Sequence, residues 1–465
     1  MINILIPLNK NVTDIYKYYP MFITKIRNIL IAKDINVIIT VFSSLLLKEL
    51  KNYTLIDGKQ NSDENKSIRE IEKEYEFSFK QILYTDKLQT SEFVSKTRGR
   101  NWYIPEKDFI IKNEYVNKLN AIIKLIENQK ITHVITDQTT DFEHSFIMYV
   151  CRKKNIPFVR YLPNFMNRGY FVHYKQNEEI KIIDELLSEI KTSDIVKFVD
   201  DYKKGNQKTI YALYTDYSLY DSKKPLYKKF KDKKINDYLN FISRNFKDIY
   251  HCKIERILKK KYYRKFNKNI KYIYYGIGLT TESHVALHAY PYINQINLIE
   301  TISRALPFGY ILYTKPHPWW EDNISLNDLK RIYELPSVRI LAPQENAKEI
   351  IKHSNGVVTI NGTDGVEGLA LGRSVIALAG INSFTDFHKN AMFCSNLYHL
   401  PKLIVNMVND KVNNDDTIEY FTKMYKFSTD IPFEADKFIS EEDANGKAKL
   451  FSKYLMQIIN SYNWE

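Results

Sequence analysis

Two stretches decide the fold: Tyr310-Ile311-Leu312-Tyr313-Thr314-Lys315-Pro316-His317-Pro318 and Gly356-Val357-Val358-Thr359-Ile360-Asn361-Gly362-Thr363-Asp364-Gly365-Val366-Glu367-Gly368. Each begins as a β-branched or aromatic run and breaks into a polar loop. The second then enters a helix through a glycine-bearing turn. A third run, Ser374-Val375-Ile376-Ala377-Leu378-Ala379-Gly380, closes the unit. Strand, polar loop and helix start, repeated in this order, build the carboxyl edge of a parallel sheet, and open α/β sheets bind ligands at that edge.

The same pattern recurs upstream. Ile2 to Pro7 reads as a buried strand, Tyr16 to Ala32 as a helix and Asn36 to Val41 as a strand. Lys59 to Glu76 reads as a surface loop or exposed helix. Tyr115 to Gln129 has helical spacing. Thr132 to Asp137, Phe142 to Lys153 and Pro157 to Tyr161 then make a βαβ unit. Its strand ends offer Asp137, Gln138 and Arg160. The expected organisation is an N-terminal Rossmann-like lobe over 1–185, a helical basic connecting region over 186–268, a C-terminal Rossmann-like lobe over 269–405 and a helical segment over 406–465. Within the connecting stretch, Ile180 to Ile190, Lys234 to Phe246 and Lys253 to Phe266 read as helices, and near the C-terminus so does Asp443 to Tyr462. The fold class is α/β, with two sheet lobes facing a cleft.

The totals agree with a globular chain: 465 residues, 44% hydrophobic, with only 14 Gly and 14 Pro. Three cysteines far apart form no metal-ligand or disulfide spacing and fit a reducing compartment. The chain opens directly on a strand-like run without a cleavable-signal pattern, and its longest apolar stretch, Ile35 to Leu47, is too short to span a bilayer. A cytoplasmic location is expected. Net charge is +13, and residues 223–271 alone hold 18 Lys/Arg against 4 Asp/Glu. That local excess, interleaved with Tyr and Phe, fits an anionic membrane face or a polyanion. No nucleic-acid motif accompanies it.

Several residues carry candidate chemistry. Two prolines stiffen the loop around His317, so Lys315 and His317 are held in place. A lysine charge and a histidine hydrogen bond or proton suit a phosphate-bearing leaving group. Gly362 lets the backbone approach a ligand, and Thr363 or Asp364 is placed to cap the helix, with Asp364 and Glu367 at capping-box spacing. Free amides at that start favour a phosphate, and Glu367 one turn in suits ribose hydroxyls. A rigid turn and an ordinary capped helix explain the same segments taken singly. Glu282 follows another strand, Tyr272 to Tyr275. Asp137 ends the βαβ strand, with Glu143 and His144 behind it as weaker candidates. No P-loop, HExxH or GxSxG is present, and no DxD stands at a strand end, so no metal and no cofactor are expected.

Taken together, Glu282, Gln295, Leu306-Pro307-Phe308-Gly309, Lys315-Pro316-His317-Pro318, and Gly362 to Glu367 continuing to Gly372-Arg373-Ser374-Val375-Ile376 resemble the bacterial capsule polysaccharide synthesis family, which includes the β-Kdo transferases. Gly368 stands where that family usually has Ala, and Arg373-Ser374 where it has Lys-Pro. The resemblance implies a two-lobe GT-B glycosyltransferase using a nucleotide-sugar, with CMP-Kdo as the donor of the Kdo members. It implies that Lys315, His317, Asn361, Gly362, Thr363 and Glu367 hold the nucleotide-sugar, and that Asp137, Glu282 and His317 are the catalytic candidates. The acceptor is then a surface-polysaccharide or lipid-linked glycan on the N-terminal side, and the basic segment 223–271 rests on the inner membrane surface. Two other functions fit the sequence: a nucleotide-sugar 2-epimerase, or a nucleic-acid-binding protein working through the basic segment.

Overall fold

The computed structural model describes residues 2–8, 19–42, 53–56, 58, 65–89, 113–136, 141–166, 168–174, 180–182, 191–205, 254–280, 283–286, 289–318, 324–379, 388–410, 412–429, 431 and 440–461. These form two sheets with helices around them.

The first sheet begins with β1 (Ile2–Leu8), α1 (Tyr19–Ile31), β2 (Ile35–Val41) and the short β3 (Thr54–Leu55). Among the described residues the helices α2 (Ile68–Tyr75), α3 (Phe79–Gln89) and α4 (Asn113–Asn128) follow. Then come β4 (His133–Thr136), α5 (Phe142–Lys153), β5 (Phe158–Pro163), β6 (Gly169–Tyr174) and β7 (Ile180–Ile182). The strand order is β3-β2-β1-β4-β5-β6-β7. β1 pairs in parallel with both β2 and β4, as β4 does with β5. β6 and β7 run antiparallel. Side chains on both faces of β1 are buried, as a sheet covered by helices requires.

Two expectations fail here. Ile180 onward is not helical at its start: Ile180–Ile182 is an edge strand bonded to β6. Ile-Lys-Ile alternates with period 2 as well as it begins a helical pattern, and the free edge of β6 decides the outcome. Arg160 is not a strand end either, because β5 continues to Pro163 and buries it.

Helix α6 (Thr192–Lys204) leads towards the second sheet. It stops at Gly205, whose φ of 86° is a left-handed position that glycine takes without strain. The second sheet holds β8 (Tyr272–Ile277), α7 (Ser283–Ala286), α8 (Gln295–Arg304), β9 (Ile311–Pro316), α9 (Leu326–Tyr333), β10 (Val338–Ile340), α10 (Ala347–His353), β11 (Val357–Thr359), α11 (Thr363–Ala370), β12 (Val375–Ala377) and β13 (Ala391–Phe393). Its order is β10-β9-β8-β11-β12-β13, and every pair is parallel. This is the doubly wound arrangement in which the chain reverses direction between the first and fourth strands. Here that reversal lies between β8 and β11.

Among the described residues the last helices are α12 (Leu400–Asn409), α13 (Asn414–Lys426) and α14 (Glu441–Ser461). They divide between the lobes. Phe421 and Met424 of α13 join a core with Tyr202 of α6, Tyr272 and Tyr274 of β8, and Leu162 and Tyr170 of the first sheet. Helix α14 returns to the first sheet, where Phe451 meets Phe22 edge-on at 5.7 Å and Tyr161 at 5.1 Å. Where the chain crosses back, Gly169 and Thr429 exchange backbone hydrogen bonds. The Tyr161 hydroxyl donates to the Ile431 carbonyl at 2.6 Å, so the return path is tied to β5.

Candidate functional site

The carboxyl ends of β8 and β11 flank the point of reversal. The loop after β8 is held by Gln295, the first residue of α8, which is fully buried. Its Oε1 accepts from the Gly278 amide at 2.9 Å and from the Tyr275 hydroxyl at 2.8 Å, and its Nε2 donates to the Gly278 carbonyl at 2.9 Å. A buried side-chain amide with these bonds satisfied is a structural clamp, costly to replace. Next to it, the His317 amide donates to the Ile277 carbonyl at 3.1 Å, so the ends of β8 and β9 are joined.

After β11, the Gly362 amide donates to Thr359 Oγ1 at 2.8 Å, and α11 then starts with Gly362 as its cap residue. The cap expected from Thr363 or Asp364 is not what forms: both lie inside the helix, and no side chain caps it. The capping box from Asp364 to Glu367 is therefore absent, which releases both carboxylates for other contacts. An uncapped start exposes amides and the positive end of the helix dipole at the sheet edge.

The charged side chains converge on this edge. Lys315 pairs in register with Gly276 and is buried, its Nζ donating to the Pro343 carbonyl at 3.0 Å. Burial pulls its pKa down, while Asp364, Glu367 and Glu345 pull it up. Asp364 lies against Gly276: a Cβ there would stand 2.0 Å from Asp364 Oδ2. Burial raises the Asp364 pKa, and Lys315 opposes the rise. Burial and then Asp364 push Glu367 up to about 8, against the pull of Tyr202, Lys348 and Lys315. Both acids keep part of their surface exposed. The result is two carboxylates one turn apart, facing two lysines.

His317 takes a different character from the one expected. Burial and then the Lys315 charge bring its pKa down to about 4. At neutral pH it is an uncharged imidazole, able to give or take a hydrogen bond but poor as a proton reservoir.

The predicted residues thus divide. Lys315, His317, Asn361, Gly362, Thr363 and Glu367 stand around the ends of β8, β9 and β11. Asp137 and Glu282 lie outside the described residues. Glu143 and His144 serve the fold: Glu143 is buried in a 2.7 Å ion pair with Lys118, and His144 lies between Asp141 at 2.6 Å and the Pro7 carbonyl at 3.2 Å. Gly276, Lys348 and Tyr202 were not picked out from the sequence. Gly276 is the last residue but one of β8, and Tyr202 is one of 35 tyrosines, in a helix of ordinary spacing.

Only the end of the basic segment, 254–271, is described. Lys259 does not face solvent with its neighbours: it is fully buried, with its Nζ 3.7 Å from Glu255. Lys260, Lys261, Lys265 and Lys268 are exposed, as are Ile257 and Leu258. Among the described residues no helix is long and apolar enough to cross a membrane.

Residues 203–385 match the family described as "Capsule polysaccharide biosynthesis protein". The match contains the motifs from Glu282 to Ile376 that carry the resemblance, and it covers under half of the chain. No curated protein sequence matches the chain. Among solved structures, the glycosyltransferase from Rickettsia africae ESF-5 is 12% identical, covers 99% of each chain and has a TM-score of 0.29. The UDP-GlcNAc 2-epimerase from Methanocaldococcus jannaschii is 12% identical, over 92% of this chain and 99% of its own, with a TM-score of 0.27. The beta Kdo 2,7 transferase KpsC of Thermosulfurimonas dismutans is 11% identical, over 65% of this chain and 89% of its own, with a TM-score of 0.30.

Proposed function

We propose that this chain is a glycosyltransferase of surface-polysaccharide synthesis that takes its sugar from a nucleotide-sugar bound between β8 and β11. The observation that carries the reading is an uncapped helix start at the point of reversal of a parallel sheet, inside the residues that match the capsule family. The amides of that start receive the phosphate. Lys315 and Lys348 offset its charge, and Glu367, when ionised, accepts from ribose hydroxyls. Neutral His317 hydrogen-bonds the leaving phosphate oxygen. In the reaction the bond from the anomeric carbon to that oxygen breaks with its electrons leaving on the nucleotide phosphate, a bond to an acceptor oxygen forms, and the acceptor hydroxyl gives its proton to a carboxylate on the acceptor side. Asp137 and Glu282 are the carboxylates proposed to act on the acceptor side or as nucleophile. The proposed donor is CMP-Kdo, and the acceptor a lipid-linked glycan.

The acceptor chemistry favours work at the inner face of the cytoplasmic membrane. The exposed Lys260 and Lys261, close in sequence to the exposed aliphatics Ile257 and Leu258, support it. Cations attract anionic headgroups and the apolar pair gains from burial among acyl chains, a gain that a nucleic acid does not provide. The test is product analysis with a donor labelled in its sugar and a lipid-linked acceptor. Label in the acceptor together with free nucleotide supports transfer. An isomerised donor with no acceptor labelling overturns it in favour of an epimerase.

A further inference from the structure

We infer that Gln295 is a positioning residue for the donor, its carboxamide holding the Gly278 peptide as the surface on which the transferred sugar rests. The inference rests on the nucleotide-sugar reading of the site.

β9 pairs with β8 as far as Ile277, which stands opposite Pro316 and receives the His317 amide at 3.1 Å. Gly278 lies one residue past that paired stretch, and there Gln295 takes over. Its Oε1 accepts from the Gly278 amide at 2.9 Å, and its Nε2 donates to the Gly278 carbonyl at 2.9 Å. A carboxamide carries the same donor and acceptor as a peptide group, so Gln295 supplies the rung that a further strand would make. The amide needs an acceptor and the carbonyl a donor, which fixes the orientation of the carboxamide. The Tyr275 hydroxyl donates to the same Oε1 at 2.8 Å, and Gln295 is fully buried. The Gly278 peptide is therefore held in one place.

The residue held this way is a glycine that its neighbours do not demand. Its φ lies outside the left-handed region. Among the described residues, an added Cβ would come within 4 Å of Gln295 Oε1 alone, at 3.9 Å, an ordinary contact. Gly276, two residues earlier, has no such room. The amide and carbonyl of Gly278 are already paired with Gln295, so what the residue offers a ligand is its Cα hydrogens. Such a surface suits the carbon skeleton of a sugar ring rather than a phosphate, which calls for donors. The position agrees. Gly276 stands level with Asp364 in the first turn of α11, beside the amides assigned to the phosphate, and Gly278 lies two residues further out along the chain. Glu367, assigned to the ribose, lies one turn deeper in α11. The part of the donor beyond the phosphate is the sugar.

The experiment is calorimetric titration of wild type, Gly278→Ala and Gln295→Glu with CMP-, UDP-, GDP- and dTDP-sugars and with the corresponding free nucleotides, alongside thermal melting. Gly278→Ala should melt at or slightly above wild type, because the methyl has room and the unfolded chain loses freedom. It should bind the free nucleotide as wild type does and the sugar nucleotide roughly tenfold more weakly, the weight of one methyl in a binding pocket. Gln295→Glu keeps the shape but sets an oxygen against the Gly278 carbonyl. Its affinity for the sugar nucleotide should fall in the same selective way. It should recover relative to wild type as the pH is lowered, because the introduced carboxyl regains a proton to donate. Full sugar-nucleotide affinity in Gly278→Ala overturns the placement of the sugar, and so does an equal weakening towards the free nucleotide. A lowered melting temperature in Gly278→Ala shows that protein fills the space and overturns it as well. Gln295→Glu indistinguishable from wild type at every pH overturns the role of Gln295. Wild type that binds none of the four classes overturns the nucleotide-sugar reading itself, and the inference falls with it.

Discussion

Asp364 Oδ2 occupies the space in which a side chain on Gly276 would begin, 2.0 Å from the ideal Cβ position. The two residues come from different crossings of the sheet, one near the end of β8 and the other in the first turn of α11. Their contact closes the point where the chain reverses. Gly276→Ala must push the carboxylate away, into either the ligand space or the lysine. The expected result is a folded protein with a lowered melting temperature and at least tenfold weaker nucleotide-sugar binding. Asp364→Ala in the same chain relieves the clash, so the double variant melts higher than additivity of the two single changes allows. Additive melting temperatures would show that the two residues do not touch.

Glu367 predicts a pH dependence of stability with a definite sign. Its folded pKa, about 8, lies above the unfolded value of 4.5. Between these values the native state binds more protons than the unfolded chain, so stability falls as pH rises through the window. Glu367→Gln removes this loss. Its melting temperature should exceed that of wild type at pH 9 by more than at pH 5, measured by scanning calorimetry. A constant difference would place Glu367 in water.

His317 shifts the other way, to about 4. Its stability contribution is complete above 6.5 and is lost as pH falls through 4. Because it is neutral in the working range, the pH profile of transfer should show no inflection near 6.5 from this residue. His317→Ala should lower kcat/KM by roughly a hundredfold, the weight of one donor to a developing negative charge, with little change in melting temperature. Near-normal turnover in a well-folded variant removes His317 from the site.

The basic segment gives a prediction that separates neighbouring lysines. Lys260→Gln with Lys261→Gln should weaken flotation with phosphatidylglycerol vesicles by about 2 kcal/mol, near 1 kcal/mol for each charge. Ile257→Ser with Leu258→Ser should weaken it further. Lys259→Gln acts on stability instead, because its ammonium is buried beside Glu255. Equal partitioning of all these proteins would exclude this face from the membrane.

The strands β1, β2, β4, β5, β8, β9, β11 and β12 were legible in the sequence because they are short β-branched or aromatic runs that end in polar loops, as at Thr314-Lys315 and Thr359-Ile360-Asn361. Lys315, His317 and the Gly362 turn were legible for the same reason, since strand ends mark the binding edge. Non-local contacts were not. Gly362 rather than Thr363 is the cap residue of α11, where Thr359 turns back to bond the Gly362 amide. Ile180–Ile182 is a strand because β6 offers an edge. Lys259 is buried although it stands in a run of exposed cations. Tyr202 meets Lys348 across 146 residues of chain, and no local pattern reports that.

The central claim is that the crevice between β8 and β11 holds a nucleotide-sugar. The most direct measurement is thermal melting of wild type, His317→Ala and Glu367→Ala with CMP-, UDP-, GDP- and dTDP-sugars. A ligand bound only by the native state stabilises it by about 2.7 kcal/mol at a hundredfold excess over Kd. The account predicts that one nucleotide class raises the wild-type melting temperature and that both variants lose most of the rise. No shift with any of the four, or a shift that both variants retain in full, would contradict it.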